Sequence, residues 1–245
     1  MKVLARIKRS LAYRGVHGTI LVCWDKVSKY WSPSRRRASA TLRKHDSEFD
    51  TTHGLDTKGI LYPGETEVRG GNWLFGNRYQ GVDPTHFVRV LSELTIDHER
   101  FTFIDFGSGK GRAIILAMNF QFKKIIGIEY SEQLTLAAQH NLLRYPNSER
   151  KCKEIELVCA DATESQIPGG PLVLFFNNPF GRPVMEKVIY NVSMSFQLCP
   201  RPIVIIYFLP EHMDLWDKAG FLSRRRASEW VAIYDTYTTD EIYMK

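Results

Sequence analysis

The stretch from Phe101 to Arg112 reads F-T-F-I-D-F-G-S-G-K-G-R, and its reading decides the fold. Phe101, Phe103, Ile104 and Phe106 form a short apolar run rich in aromatic residues, the pattern of a buried strand. Gly107, Gly109 and Gly111 follow at alternate positions. Ala113, Ile114, Ile115, Leu116, Ala117 and Met118 then predict a buried helix. Strand, glycine turn and helix together open an α/β unit in which backbone N–H groups and a helix N-terminus approach a ligand. A dinucleotide fingerprint would require a third glycine where Arg112 stands. A phosphate loop would require Lys and then Ser or Thr after its last glycine, where Arg112 and Ala113 follow Gly111. What fits is an acid followed by alternating glycines, Asp105-x-Gly107-x-Gly109-x-Gly111. A carboxylate at the strand end would repel a pyrophosphate and suit a cationic ligand.

Downstream, the pattern repeats strand and helix. Residues 123–130 predict a second strand ending in Glu129, where an acid can accept from both hydroxyls of a ribose. Ser131 predicts the cap of a helix to about Leu143, with Leu134, Ala137, Ala138 and Leu142 on its buried face. Residues 155–159 predict a third strand, followed by Asp161 and Ala162. Residues 171–176 predict a fourth, followed by Asn177-Asn178-Pro179-Phe180-Gly181 at the place where ligands of such sheets bind. A helix over 184–196, a strand over 201–209 and a helix over 211–219 come next. Residues 221–237, broken near Ser228, predict a closing pair of strands with Trp230, Ala232 and Tyr234 alternating. The expected fold is α/β, a Rossmann-like sheet, mostly parallel with a terminal antiparallel strand pair and helices on both faces.

Upstream, Pro84 suits the first turn of a helix whose apolar face is Phe87, Val90, Leu91 and Leu94. The polar, glycine-punctuated residues 49–59 predict loop, and so does the stretch from Pro63 to Gly81, whose Trp73, Phe75 and Tyr79 point to a lid, a substrate wall or a strap over the core. Two units follow: a basic arm over 1–48, and one domain over 49–245 whose first part, 49–98, is the lid and helix. Ahead of His45 stand twelve Lys and Arg against one acid, Asp25, although the whole chain of 245 residues carries only +6. Such an arm is suited to nucleic acid or an anionic surface, or to packing on the body as a solvated helix. The four cysteines form no C-x-x-C pair, which argues against a disulfide framework or zinc spacing. His86 and His98 stand alone, with no second ligand at metal spacing. No apolar run approaches a transmembrane length, and a cytoplasmic location is expected.

With Asp105–Gly111, Glu129, Asp161 and Asn177–Phe180 in this order, the chain resembles the class I S-adenosylmethionine (SAM)-dependent methyltransferases. Within them it resembles a bacterial branch that shares F-D-x-x-x-G-x-D-T (here Phe49 to Thr57), F-x-D-x-G-S-G-K-G-R (Phe103 to Arg112) and N-P-F-G (Asn178 to Gly181). The resemblance implies SAM as cofactor. It implies that Asp105 and the backbone of Gly107, Ser108, Gly109 and Gly111 hold the methionine part. Glu129 would bind the ribose, Asp161 and Ala162 the adenine. Asn177, Pro179 and Phe180 would face the methyl acceptor, as in the N-P-P-F/Y pattern of enzymes acting on amine or planar nitrogens, from which Asn178 departs. A more distant likeness to non-SET histone lysine methyltransferases implies that Thr85 touches the methionine end. The acceptor stays open between a protein amine, a nucleic-acid base and a small molecule. Two other readings stand beside this one: an NAD(P)-dependent oxidoreductase, and a non-catalytic nucleic-acid-binding module on the same fold.

Overall fold

The computed structural model describes Val16, residues 47–61 and residues 76–236. The basic arm up to residue 46, Trp73 and Phe75 of the expected loop, and the end of the chain from Tyr237 lie outside the described residues.

Seven strands form one sheet. They are β1 (Thr102–Phe106), β2 (Lys124–Glu129), β3 (Ile155–Cys159), β4 (Leu172–Asn177), β5 (Ile203–Phe208), β6 (Ser223–Ala227) and β7 (Val231–Asp235). Their order is β3-β2-β1-β4-β5-β7-β6. The first five are parallel, and β7 inserts antiparallel between β5 and β6. This is the Rossmann-like arrangement that the sequence predicts, with the chain reversing direction across the sheet at β1 and β4.

The central strands are apolar on both sides because both sides are covered. On one face Phe103, Val173, Phe175, Val204 and Ile206 pack against α1 (Pro84–Ser92) and α2 (Arg112–Ala117). On the other, Ile104, Phe106, Leu174, Phe176 and Ile205 pack against α4 (Arg182–Leu198) and Trp216 of α5 (Met213–Asp217). Aromatic pairs tie these layers together. Phe87 of α1 stands edge-on to Phe175 at 4.9 Å, and Phe106 stacks on Phe176 at 4.9 Å. The helix α3 (Glu132–Arg144) is capped by Ser131, whose Oγ accepts from the Leu134 N–H.

Several local expectations are corrected. Residues 47–53 are helical, not loop. Phe49 and His53 face each other one turn apart, His53 packs on Tyr145, and Gly54 ends the turn at φ 66°. Trp230 is not a strand residue: the Ser228 Oγ accepts from the N–H groups of Trp230 and Val231, and this turn leaves the Trp230 ring half-exposed. On α3 the buried positions include Thr135 and Asn141, while Ala137 and Leu142 are half-buried. Leu94 lies beyond the end of α1. Ile60–Leu61 and Tyr79–Gln80 pair as a short antiparallel ribbon. Among the described residues, no helix is long and apolar enough to cross a membrane.

Candidate functional site

The glycine turn leaves β1 at the carboxyl edge of the sheet. The Gly107 and Ser108 N–H groups donate to the Ile128 carbonyl at 2.8 and 3.0 Å. The turn is thereby hung on the end of β2. Glu129, the last residue of β2, accepts from the Gly109 N–H at 2.9 Å on one oxygen and from the Ser131 N–H at 3.0 Å on the other. Burial pushes its carboxyl up to about 7, against the pull of those N–H groups. Asp105 is 3% exposed, and no hydrogen bond to its carboxylate is found among the described residues. Burial, and then the neighbouring Glu129 charge, raise its carboxyl well above the usual carboxylate range.

The two bases of the turn are committed elsewhere. Lys110 Nζ pairs with Asp56 at 3.0 Å. Arg112 is 1% exposed. Its Nε donates to Thr57 Oγ1 at 2.7 Å, Nη1 donates to the Val82 carbonyl at 3.3 Å, and Nη2 lies 3.6 Å from Asp50 Oδ1. Its guanidinium also lies over the Phe49 ring. Asp50 in turn accepts from the Thr57 N–H, the Thr57 hydroxyl and the Lys58 N–H at 2.8, 2.5 and 2.7 Å. The segment 49–58 is thus pinned to the start of α2 by a buried guanidinium. The sequence reading missed this role of Arg112. Its signal was present, since an acid in F-D-x-x-x-G-x-D-T and a base in G-K-G-R occur together, but neither motif states that the two meet.

A second segment, 76–82, crosses the mouth. The Tyr79 hydroxyl donates to the Thr57 carbonyl at 2.5 Å. The Tyr79 ring lies so close over Gly109 that a Cβ there would sit 2.2 Å from ring carbons. With φ at 53° as well, only glycine fits that position. The Asn77 N–H donates to the Pro179 carbonyl at 2.8 Å, and Asn77 Nδ2 to the Asn178 carbonyl at 3.0 Å. Asn177 Nδ2 donates to the Gln80 carbonyl at 2.8 Å. Gly76 bridges Phe180. Of the readings open for this loop, the described part fits a wall, since residues 77–81 line the pocket.

Beneath it lies a pocket with about 690 Å³ of empty space, counting its open mouth. Asp105, Gly107, Ser108 and Glu129 line one side, and Asn177, Pro179 and Phe180 the other. Gly107 permits this closeness, because a Cβ there would meet the Pro179 Cβ at 2.5 Å. No His, Cys or Lys is among the described lining residues.

Five expected residues stand apart from this lining. Gly109 and Gly111 shape the turn from behind Tyr79 and at the start of α2. Asp161 Oδ1 accepts from the N–H and the hydroxyl of Thr163 at 2.8 and 2.7 Å, closing its own loop. Ala162 is buried in the core on the α4 face. Thr85 is exposed on the first turn of α1. His86 packs on Phe208 and His98 on Phe120 and Phe122. No cluster of three or more potential metal ligands occurs among the described residues.

No family model and no curated protein matches the chain. Among solved structures, it is similar to a predicted N6-adenine-specific DNA methylase from Listeria monocytogenes, at 13% identity and a TM-score of 0.48 over 71% of this chain. The chain spans 54% of the length of that protein. It is similar to the methyltransferase domain of a bacterial Hen1 at 14% identity and a TM-score of 0.44, over 62% of this chain and 95% of that one. It is also similar to an RNA methyltransferase from Salinibacter ruber in complex with S-adenosylhomocysteine, at 17% identity and a TM-score of 0.41, over 64% of this chain and 95% of that one.

Proposed function

We propose that the chain is a SAM-dependent methyltransferase that passes a methyl group directly to an amine or planar nitrogen. The observation that carries the reading is Asp105. It is a buried carboxylate on the pocket wall, with no hydrogen-bond partner among the described residues, beside a second buried carboxylate. A protein does not keep such a charge without compensation. A ligand with an ammonium group supplies it. Glu129 uses one lone pair on each oxygen for the turn and keeps acceptor capacity for two ribose hydroxyls. SAM carries both features and has no pyrophosphate to clash with the acids, which counts against a nicotinamide dinucleotide.

In this reading Asp105 and the 107–111 backbone hold the methionine part, and Glu129 holds the ribose. Asp161 and Ala162, on the loop after the neighbouring strand, take the adenine. SAM, when bound, supplies an activated methyl group, so the protein forms no covalent intermediate. The chain's own work is positioning and exclusion of water. Tyr79 and Asn77 roof the pocket. Asn177, Pro179 and Phe180 face the acceptor, with the Phe180 ring able to pack on a cation.

Calorimetric titration of the purified chain with S-adenosylhomocysteine, with NADH as control, tests the reading. Binding of the first alone is expected. A folded sample that binds NADH and not S-adenosylhomocysteine would sink it.

A further inference from the structure

Near the pocket, between the carboxyl end of β5 and the turn joining β6 to β7, lies a second, shallower depression that the cofactor reading leaves unused. Its open space is about 760 Å³, and it is lined by Leu209, Pro210, Met213, Ala227, Glu211 and Glu229. Leu209 is 39% exposed, and Trp230, the residue after Glu229, whose carbonyl accepts from the Leu209 N–H at 2.9 Å, is 50% exposed. Both are large apolar groups left in water.

Three further observations connect this trough to the acceptor end of the pocket. Asn178 and Leu209 are the two non-glycine residues with positive φ among the described residues, at 45° and 50°. They follow paired ends of adjacent strands, Asn177 opposite Phe208. Such conformations cost energy and cluster where the chain is shaped for a task. Glu211 accepts from Asn178 Nδ2 at 3.1 Å, so the wall of the trough is bonded to the loop that faces the acceptor. The buried Tyr207 hydroxyl, pushed up to about 12 by burial, donates to Asn178 Oδ1 at 3.2 Å and fixes the same loop from below.

The charge of the trough is of one sign. No Lys, Arg or His is among its lining residues. Of the bases on flanking elements, Arg182 and Lys218 pair with Asp214, Arg224 with Asp217, and Arg226 with Glu93, while His212 lies between Glu211 and Met213 in the chain. Phosphates would meet Glu211 and Glu229 at the entrance. A flexible basic side chain would lay its methylene stem on Leu209, Met213 and Trp230 and bring its charge to the carboxylates.

We propose that this trough is the docking site for a lysine- or arginine-bearing peptide segment of the methyl acceptor, next to the group that is methylated. The proposal rests on the methyltransferase reading above for its word "acceptor", and on the trough alone for the ligand's chemistry.

The test uses the full chain with S-adenosylhomocysteine present and a fluorescein-labelled peptide of alternating lysine and glycine. Binding is read by anisotropy at low salt. A carbodiimide then couples bound lysine to neighbouring carboxylates, and the joined residues are mapped by mass spectrometry. The peptide is expected to bind and to couple to Glu211 or Glu229. The double variant Glu211→Gln, Glu229→Gln should bind at least tenfold more weakly, and Trp230→Ala several-fold more weakly. Glutamine still accepts from Asn178, so the loop stays in place. Absence of peptide binding, equal affinity in the double variant, or coupling to the chain's own basic arm instead of the peptide would overturn the proposal. So would a single-stranded RNA oligonucleotide that binds more tightly than the peptide and is weakened by Trp230→Ala. S-adenosylhomocysteine affinity is measured on the same samples and should be unchanged in every variant. Its absence throughout, with peptide coupling intact, would overturn the methyltransferase reading and leave the docking site standing.

Discussion

Asp50 and Asp105 are almost equally hidden from solvent, at 2% and 3% exposure, yet their surroundings are opposites. Asp50 accepts three hydrogen bonds and faces a guanidinium. Asp105 accepts none among the described residues and faces a second carboxylate. The first is finished by the chain itself. The second, in the proposed reading, is met by a bound ligand. Burial therefore marks neither as functional, and the balance of partners separates them.

That contrast can be broken at several points, beginning with the largest effect. Asp50→Ala strands the Arg112 guanidinium in the interior, and a loss of about 3–5 kcal/mol in denaturant melting is expected. A loss under about 1 kcal/mol, the scale of ordinary substitutions, would show that the ion pair does not pin the strap. Glu129→Ala removes the acceptor proposed for two ribose hydroxyls, each worth about 1.5–3 kcal/mol when the acceptor is charged. The affinity for S-adenosylhomocysteine should fall about a hundredfold on that basis, and an unchanged calorimetric Kd would remove the assignment. Asp105→Asn should act with two signs. It relieves the cost of a buried, unpartnered acid, so the unliganded protein gains about 1 kcal/mol, while ligand affinity drops about tenfold. Were it to destabilise like Asp50→Ala, Asp105 would be a structural carboxylate after all.

The smallest effect is on pH. Both pocket acids are raised, Glu129 to about 7 from 4.5. A raised acid binds more protons folded than unfolded between those values, so the unliganded protein loses stability as pH climbs from about 4.5 to 7. In the proposed reading Glu129 accepts from the ribose hydroxyls, which it does best ionised. Affinity for S-adenosylhomocysteine should therefore rise with pH through about 7, by at most about tenfold per unit for each proton released. Calorimetry in buffers of different ionisation enthalpy would count that proton. A Kd that is flat from pH 5.5 to 8 would mean that Glu129 does not meet the ligand.

The sheet was legible because its strands are short apolar runs separated by turns, and burial on both faces makes such runs continuous. β3 matches its expected bounds, and the glycine turn carries its own spacing. What stayed hidden depends on meetings between distant residues. The helical turn at 47–53 looks polar, since its reason for folding is Phe49, which packs on Arg112 and His53. Asn141 reads as a surface position on α3. Its side chain is buried because it bonds Asp56 at both N–H and carbonyl, and also Lys110. Trp230 fits an alternating pattern that the Ser228 turn interrupts. The acceptor side was legible as a loop after β4. The trough beside it was not, because it joins residues from two separate turns.

The pairing of Arg112 with Asp50 also bears on how such a chain can be inherited and shortened. Neither residue can drift alone without stranding a buried charge, so descendants that replace one must replace the other or pass through a poorly folding form. A version trimmed to begin at Phe101 would keep all seven strands and the glycine turn, and would still have lost the counter-charge that lets its first crossover helix start.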